Sequence, residues 1–372
     1  MPATEDHATP ALREADRQMT ICNACRYCEG LCAVFPAMEL RRDFSAGDLH
    51  YLANLCHGCG ACYYDCQYAP PHEFAVNVPV ALAELRTESY RHYAWPGAFS
   101  ALFENNGSKV AFAAVLAVVA FLTGFVALVD PQVLFAGHAG PGAFYAIMPH
   151  NAMVAIFGAV FVFAIAAMVM SLRAFWRDTG GAGEGASASG SLWQAMMDAG
   201  TLRNLDGGGA GCMNDDERPT DNRRHYHHFT FYGFVLCLAS TSLATLFHYA
   251  FGWQAPFGWL NPVVVLGTLG GIGLVIGPAG LLAARRRRDP AIAADGQTAM
   301  GIAFLWMLLS TGLTGLLLLV LRTTPAMGIL LAIHLGFVLG LFVSMPYGKF
   351  VHGLYRFAAL VQYARERYVK IT

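Results

Sequence analysis

Two identical runs of cysteine stand near the start of this chain, and they limit its fold more than any other feature. Each run has the spacing C-x2-C-x2-C-x3-C, and together they hold eight of the ten cysteines between residues 22 and 66. The runs consist of Cys22, Cys25, Cys28, Cys32 and of Cys56, Cys59, Cys62, Cys66. Successive x2 spacings let three thiolates surround one iron–sulfur cube while the fourth reaches a second cube. The spacing therefore predicts a ferredoxin-like module with two [4Fe–4S] clusters.

The fourth cysteine of each run ligates the other cluster in two-cluster ferredoxins. This rule predicts two ligand sets, namely Cys22, Cys25, Cys28 with Cys66, and Cys56, Cys59, Cys62 with Cys32. Four thiolates per cluster leave no iron open to substrate, which favours electron transfer. Zinc is the alternative metal, because pairs of C-x2-C also build four-thiolate zinc sites.

Beyond Lys109 the charged residues disappear in long blocks. Charged residues make up 13% of the chain, against roughly 25% in a soluble domain. A helix that spans a membrane needs about 20 apolar residues, and Pro/Gly turns divide the blocks into pieces of this length. The sequence predicts six spans, near residues 110–129, 150–171, 228–250, 262–283, 299–321 and 326–346.

The remaining segments are arranged around these two parts. Residues 1–20 form a polar arm without the apolar stretch of a secretory signal peptide, 20–95 the two-cluster domain, and 96–372 the membrane domain. A flexible Gly/Ser/Ala loop is expected at 180–191, and a helix after the last span. We therefore expect an all-α fold, with an N-terminal α-helical ferredoxin-like module followed by a six-helix transmembrane bundle.

The distribution of Arg and Lys predicts how the bundle is oriented. Basic residues crowd the two ends and every second loop, whereas the alternate loops contain only Arg322. Positive residues are retained in the cytoplasm, so both termini and the cysteine module are predicted to be cytoplasmic in a bacterial inner-membrane protein. Clustered cysteines in that reducing compartment indicate metal ligands rather than disulfides. The sequence contains no basic patch with interleaved aromatic residues, so we expect no nucleic-acid partner.

Histidines in or beside the predicted spans form a second candidate site, because ionisable groups inside a membrane are costly. His228 and His248 lie about 30 Å apart along one helix, so one haem cannot use both. The arrangement predicts b-type haem, with two histidines binding each iron. One haem lies near one face of the membrane, or two haems lie near opposite faces. The alternative is that these histidines are ordinary interfacial residues.

Depth in the membrane suggests which histidines pair. His248 and His334 are favoured near the periplasmic face, and His150 can replace either. His228 and His352 are favoured near the cytoplasmic face. Lys349 and Arg356 share helical spacing with His352, so they either receive haem propionates or anchor the topology.

The cysteine runs combine with two further segments into a recognisable pattern. These segments are RRHYHHFTFYGFVLCLASTSLATLFHY at 223–249 and DGGGAGCMNDDERP at 206–219. Together they resemble the tricarballylate/citrate-utilisation protein B family (TcuB/CitB). The resemblance implies an electron-transfer protein that reoxidises the flavin of a cytoplasmic FAD-dependent, tricarballylate dehydrogenase-like partner. Electrons would then pass through [4Fe–4S] clusters and haem to a membrane acceptor such as quinone.

A membrane transporter or redox sensor with a regulatory iron–sulfur domain is the alternative function. A carboxylate transporter needs cationic residues within its spans, and the uncharged blocks contain none. The chain also lacks a nucleotide fingerprint, so we expect no substrate site of its own. The sequence favours an electron-transfer subunit.

Overall fold

A computed structural model of the protein describes residues 7–180 and 188–371. Every regular element in these two ranges is a helix, and an isolated bridge between Cys212 and Thr220 is their only β-type pairing. The expected all-α fold is confirmed. Most of the predicted flexible loop, 181–187, and the first part of the polar arm, 1–6, lie outside the described residues.

Five helices carry the cysteine region. They are α1 (Pro10–Cys25), α2 (Val34–Met38), α3 (Ala46–Leu55), α4 (Ala61–Tyr64) and α5 (Val78–His92). Helix α1 begins within the polar arm, where the Thr9 hydroxyl accepts a hydrogen bond from the Leu12 N–H. Ser45 and Asp48 form a reciprocal capping box at the start of α3. These caps fix the helix ends between which the cysteines lie.

Nine further α-helices follow in the described chain, with short 3-10 helices between some of them. They are α6 (Asn106–Leu128), α7 (Pro131–Leu134), α8 (His150–Thr179), α9 (Ala188–Gly200), α10 (Asn222–Phe251), α11 (Pro262–Arg285), α12 (Asp295–Leu321), α13 (Met327–Ser344) and α14 (Val351–Ile371). Within residues 7–180 and 188–371, six helices are long and apolar enough to cross a membrane, namely α6, α8, α10, α11, α12 and α13. Each coincides with a predicted span, so the chain has the architecture of a multi-pass membrane protein.

Helices α10 and α11 pack along each other through glycines. A Cβ atom on Gly233 would lie 2.9 Å from the backbone carbon of Gly273, and one on Gly277 would lie 2.5 Å from the Thr230 nitrogen. Neither position has room for a side chain, so the two backbones touch. Small residues commonly allow such close approach between membrane helices.

Helix α14 leaves the membrane bundle and enters the cysteine region. Its residues Ala359 and Leu360 belong to the same buried core as Phe35, Leu49 and Leu52. The last helix of the chain therefore completes the hydrophobic core of the cysteine domain. The N-terminal and C-terminal parts of the chain therefore pack together beside the bundle.

Candidate metal centres

The structure places Cys66 with the first three cysteines of the first run. Cys22 and Cys25 lie in the last turn of α1, and Cys28 in the loop that follows. These four side chains line a cavity of about 230 Å³, together with Cys62. Burial raises the pKa of Cys22 to about 12, and the nearby Cys28, Cys66 and Cys25 add to the shift. The fourth thiol of the second run thus adjoins the first group.

The other four cysteines form a second group beside the first. Burial raises the pKa of Cys32 well above its usual value, and the neighbouring Cys59 and Cys56 raise it further. The pKa of Cys62 is raised by burial and then by Cys59, Cys32 and Cys56, while Cys28 of the first group adds a smaller effect. The two groups are adjacent, and Cys62 lies between them, since it also lines the cavity of the first group.

Backbone N–H groups point at the sulfur atoms of the second group. The Gly58 N–H donates to Cys56 Sγ at 3.3 Å. Backbone hydrogen bonds at Val34 and Phe35, the first residues of α2, favour the Cys32 thiolate, and one at Ala61, the first residue of α4, favours that of Cys59. The short helices α2 and α4 therefore present unpaired N–H groups to sulfur.

These groups suit a multi-iron cluster better than a single zinc ion. Among the described residues, no three His, Cys, Asp or Glu side chains converge on a site for one metal ion. Zinc in a four-thiolate site requires all four sulfurs at about 2.3 Å from one point. The thiols of the first group, together with Cys62, instead line a larger cavity. The raised pKa values of Cys22 and Cys32 mean that a bound cation is needed to keep these two thiols ionised.

The second group lies against the membrane helices. Arg223, in the first turn of α10, donates to the carbonyl oxygens of Gly58 at 2.7 Å and of His57 at 3.1 Å. Arg356 of α14 donates to the carbonyl oxygen of Cys56 at 2.8 Å. Two guanidinium groups therefore fix the 56–58 loop to α10 and to α14.

The glycine-rich loop between α9 and α10 covers the same group. The Met213 N–H donates to the Cys59 carbonyl at 3.0 Å, and a Cβ atom on Gly207 would lie 3.9 Å from Cys59 Sγ. Cys212 is buried in this loop, with 4% of its surface exposed. Sequence reasoning did not connect this loop with the cysteines, because only the fold brings it there.

At the far end of the bundle the structure pairs His150 with His248. Their ring centres are 3.9 Å apart and the rings are stacked. His334 instead shares a hydrogen bond of 3.1 Å between its Nδ1 and the Thr314 hydroxyl. Two imidazoles on opposite sides of one iron have centres about 6 Å apart, since metal–nitrogen bonds are about 2.0 Å. The stacked rings of His150 and His248 leave no room for an iron between them.

At the end of the bundle beside the cysteine domain, the neighbour of His352 is His227. The two ring centres are 6.2 Å apart, with 74° between the ring planes. His228, which the sequence pairs with His352, packs against Tyr232 at 5.9 Å. Adjacent residues on a helix point about 100° apart, so only one of these two histidines can face α14.

Comparison with known proteins agrees with this two-part structure. Residues 15–92 match the family model described as citrate utilization protein B Fer4-like domain, and residues 105–371 match citrate utilization protein B. The chain is 50% identical over 355 residues to citrate utilization protein B of Escherichia coli, which covers 95% of this chain and 92% of that protein. No solved structure matches. A Fer4-like domain indicates iron–sulfur clusters, and the chain belongs to the citrate utilization protein B family.

Proposed function

We propose that this protein is the membrane-anchored electron-transfer partner of a cytoplasmic FAD-dependent dehydrogenase. The dehydrogenase is of the tricarballylate or citrate type, and its reduced flavin supplies the electrons. They leave through two [4Fe–4S] clusters and b-type haem for the quinone pool of the bacterial inner membrane. The cysteine domain and both termini lie in the cytoplasm. The E. coli relative is named for citrate utilization, which supports this metabolic context.

One observation carries the proposal: the loop of the second cysteine group is bonded to the membrane domain. Arg223 and Arg356 donate to three successive carbonyl groups of this loop, at residues 56–58. The bonds hold the loop of these cysteines directly against α10 and α14. Such fixed, short separation is what electron transfer between two cofactors requires.

Charge around the two cysteine groups favours movement of electrons towards the membrane. The carboxylate of Asp65 contributes to the raised pKa of Cys28, in the first group. In the second group the guanidinium of Arg223 lowers the pKa of Cys59, against the larger effect of burial. When bound, iron–sulfur clusters supply one-electron transfer, with potentials set by nearby charge and hydrogen bonds. Arg223 and Arg356 thus place positive charge beside the inner site, whereas Asp65 places negative charge beside the outer one.

The first group lies nearer the surface, where a partner protein can reach it. Tyr27 is 72% exposed and lines the same cavity as Cys22 and Cys28. Burial raises the pKa of Cys28 to about 12, but its side chain is still partly accessible. The flavoprotein therefore docks at this face, and the membrane-facing group receives electrons second.

Metal analysis and redox-titrated spectra of the full-length protein test the proposal. Anaerobically purified protein should contain iron and sulfide for two [4Fe–4S] clusters, with EPR signals of both and a dithionite-reducible b-type absorption band. Reduced protein in lipid vesicles should be reoxidised by added quinone. Zinc in place of iron, or clusters that quinone cannot reoxidise, would contradict the proposal. Citrate uptake by the same vesicles would support the transporter alternative.

A further inference from the structure

Six cationic side chains lie together where the cysteine domain meets the membrane bundle. They are Arg86, Arg223, Arg285, Arg288, Lys349 and Arg356, and we call them the cation group. The pKa of Lys349 is lowered well below its usual value by burial first, and then by Arg86, Arg356, Arg285 and Arg223. These charges therefore face one another across a short distance.

The cation group has no acidic partner among the described residues. Each of the seven ion pairs found there joins other side chains. The hydrogen bonds of the group go to neutral oxygens instead, such as Arg285 to the Thr298 carbonyl at 3.1 Å and Lys349 to the Gln297 side chain. Arg86 Nη2 and Arg288 Nε are buried without any partner. Arg86 is buried and the other five cations are half-buried, so without an acidic side chain beside them they attract an anion from outside the chain.

Two histidines stand beside the cation group and face each other. An imidazole nitrogen lies about 1.1 Å from its ring centre and about 2.0 Å from a bound metal, so two axial imidazoles have centres roughly 6 Å apart. The 6.2 Å between the centres of His227 and His352 fits this separation. The two residues come from α10 and α14, one helical turn from Arg223 and Arg356 respectively.

The ring nitrogens of both histidines are set for ligation. His352 donates from Nδ1 to the Lys349 carbonyl at 2.5 Å, which leaves Nε2 as the acceptor nitrogen. In metal-binding histidines, a hydrogen bond from the ring nitrogen that does not bind the metal fixes the tautomer in this way. Nδ1 of His227 is buried without a hydrogen-bond partner. Both residues keep part of their surface accessible.

We propose that His227 and His352 are the axial ligands of a b-type haem, whose two propionates are bound by the cation group. This assignment rests on the proposed function and makes it specific. The haem supplies the missing negative charge, since each propionate accepts charge-assisted hydrogen bonds from guanidinium or ammonium groups. Arg223 and Arg356 then link the second cysteine group to the turns that carry the two ligands. The resulting site lies beside the Cys56 loop.

Haem content and low-spin EPR of full-length variants test the ligands. H227A and H352A should each lose one haem per chain and the same low-spin ferric signal, while both retain the [4Fe–4S] signals as evidence of folding. H228A is the matched control, because His228 faces Tyr232, and it should keep the haem content of the unmodified protein. Retention of that content and signal in H227A or H352A, or their loss in H228A, would overturn the assignment.

Methionine variants keep the ligands testable if an alanine variant does not fold. H227M and H352M should shift the absorption band and raise the midpoint potential of one haem, because methionine ligation raises it. An unshifted spectrum and potential would contradict ligation by that histidine.

A lysine variant tests the propionate contact. K349Q should lower the potential of the same haem, since a neighbouring positive charge is lost, whereas R322Q at the other end of the bundle should not. Equal potentials in K349Q and the unmodified protein would refute this part. Unmodified protein with both clusters but no haem would refute the haem step of the proposed function as well, whereas haem that survives H227A refutes this assignment alone.

Discussion

Arg356 and Cys56 stand 300 residues apart in the chain, yet Nη2 of the arginine donates to the cysteine carbonyl at 2.8 Å. The arginine belongs to the helix that follows the last membrane span, and the cysteine directly follows α3. This bond ties the second cysteine group to the membrane bundle. It also places a full positive charge beside that group.

Replacing this charge should alter one cluster and not the other. R356Q should lower the midpoint potential of the membrane-facing cluster by roughly 50 mV, equivalent to about 1 kcal/mol for one electron. EPR-monitored redox titration of the two clusters measures the shift. R286Q is the control, because Arg286 is exposed directly after α11 and should leave both potentials unchanged. Equal shifts of both clusters would contradict the placement of Arg356 beside only one.

The crossed arrangement of the cysteines predicts which variants share a phenotype. C22S and C66S should abolish the same EPR signal, and C32S and C56S the other, because each pair belongs to one group. C212S should retain both signals, since Cys212 lies outside the two groups of four. If C22S and C32S were to lose the same cluster, each run would instead serve one cluster by itself.

Local patterns account for most of what the sequence predicted correctly. The uncharged blocks report on neighbours within a few turns of chain, so the six long apolar helices follow from them. The Ser45–Asp48 capping box is equally local. Local patterns do not predict contacts between residues that are far apart in the sequence. Nothing near residue 359 shows that α14 completes the cysteine-domain core.

The choice between His227 and His228 shows the same limit at a single site. Both stand in one run of histidines at the start of a span, and depth in the membrane does not separate them. Their partners do, because His227 faces His352 and His228 faces Tyr232. The rotation of a helix about its axis is set by packing, which the sequence alone did not fix.

The contact between Arg41 and Glu366 should be a main support of the α14 docking. Arg41 donates to Glu366 at 2.7 Å and to Asp48 at 2.5 Å, and the Glu366 side chain is 6% exposed. E366A leaves a buried guanidinium with half of its partners and should cost about 3–5 kcal/mol. Thermal loss of cluster absorbance measures the effect.

The exposed pair of Glu14 and Arg17 provides the control for this prediction. Both side chains are at least 40% exposed, so E14A should cost less than about 1 kcal/mol. Similar melting temperatures for E366A and E14A would show that α14 is not held by this ion pair.

Two glycine substitutions should have opposite effects in the membrane domain. G233A forces a methyl group to within 2.9 Å of the α11 backbone and should separate α10 from α11. G124A meets nothing within 4 Å and should be neutral or stabilise α6 by about 0.5–1 kcal/mol, because alanine favours helix. Thermal unfolding in detergent, followed by circular dichroism, compares them. Equal stability of the two variants would contradict direct backbone contact between α10 and α11.

His50 should make the cysteine domain less stable in mild acid. Burial, and then the neighbouring His92, lower its pKa to about 4, while the ordinary value is 6.5. The unfolded chain therefore binds a proton more readily between these values, and stability falls as pH drops from about 6.5 towards 4. The slope from this one group is at most about 1.4 kcal/mol per pH unit. Melting temperatures measured from pH 5 to pH 8 report the slope.

Variants at His50 and its partner separate this titration from other acid effects. H50Q should flatten the pH dependence relative to the unmodified protein, because it removes the imidazole while an amide remains to bond with Ser89. S89A should lower the melting temperature at every pH but keep the slope, since the buried imidazole is still present. An H50Q slope equal to that of S89A would assign the acid sensitivity to another group.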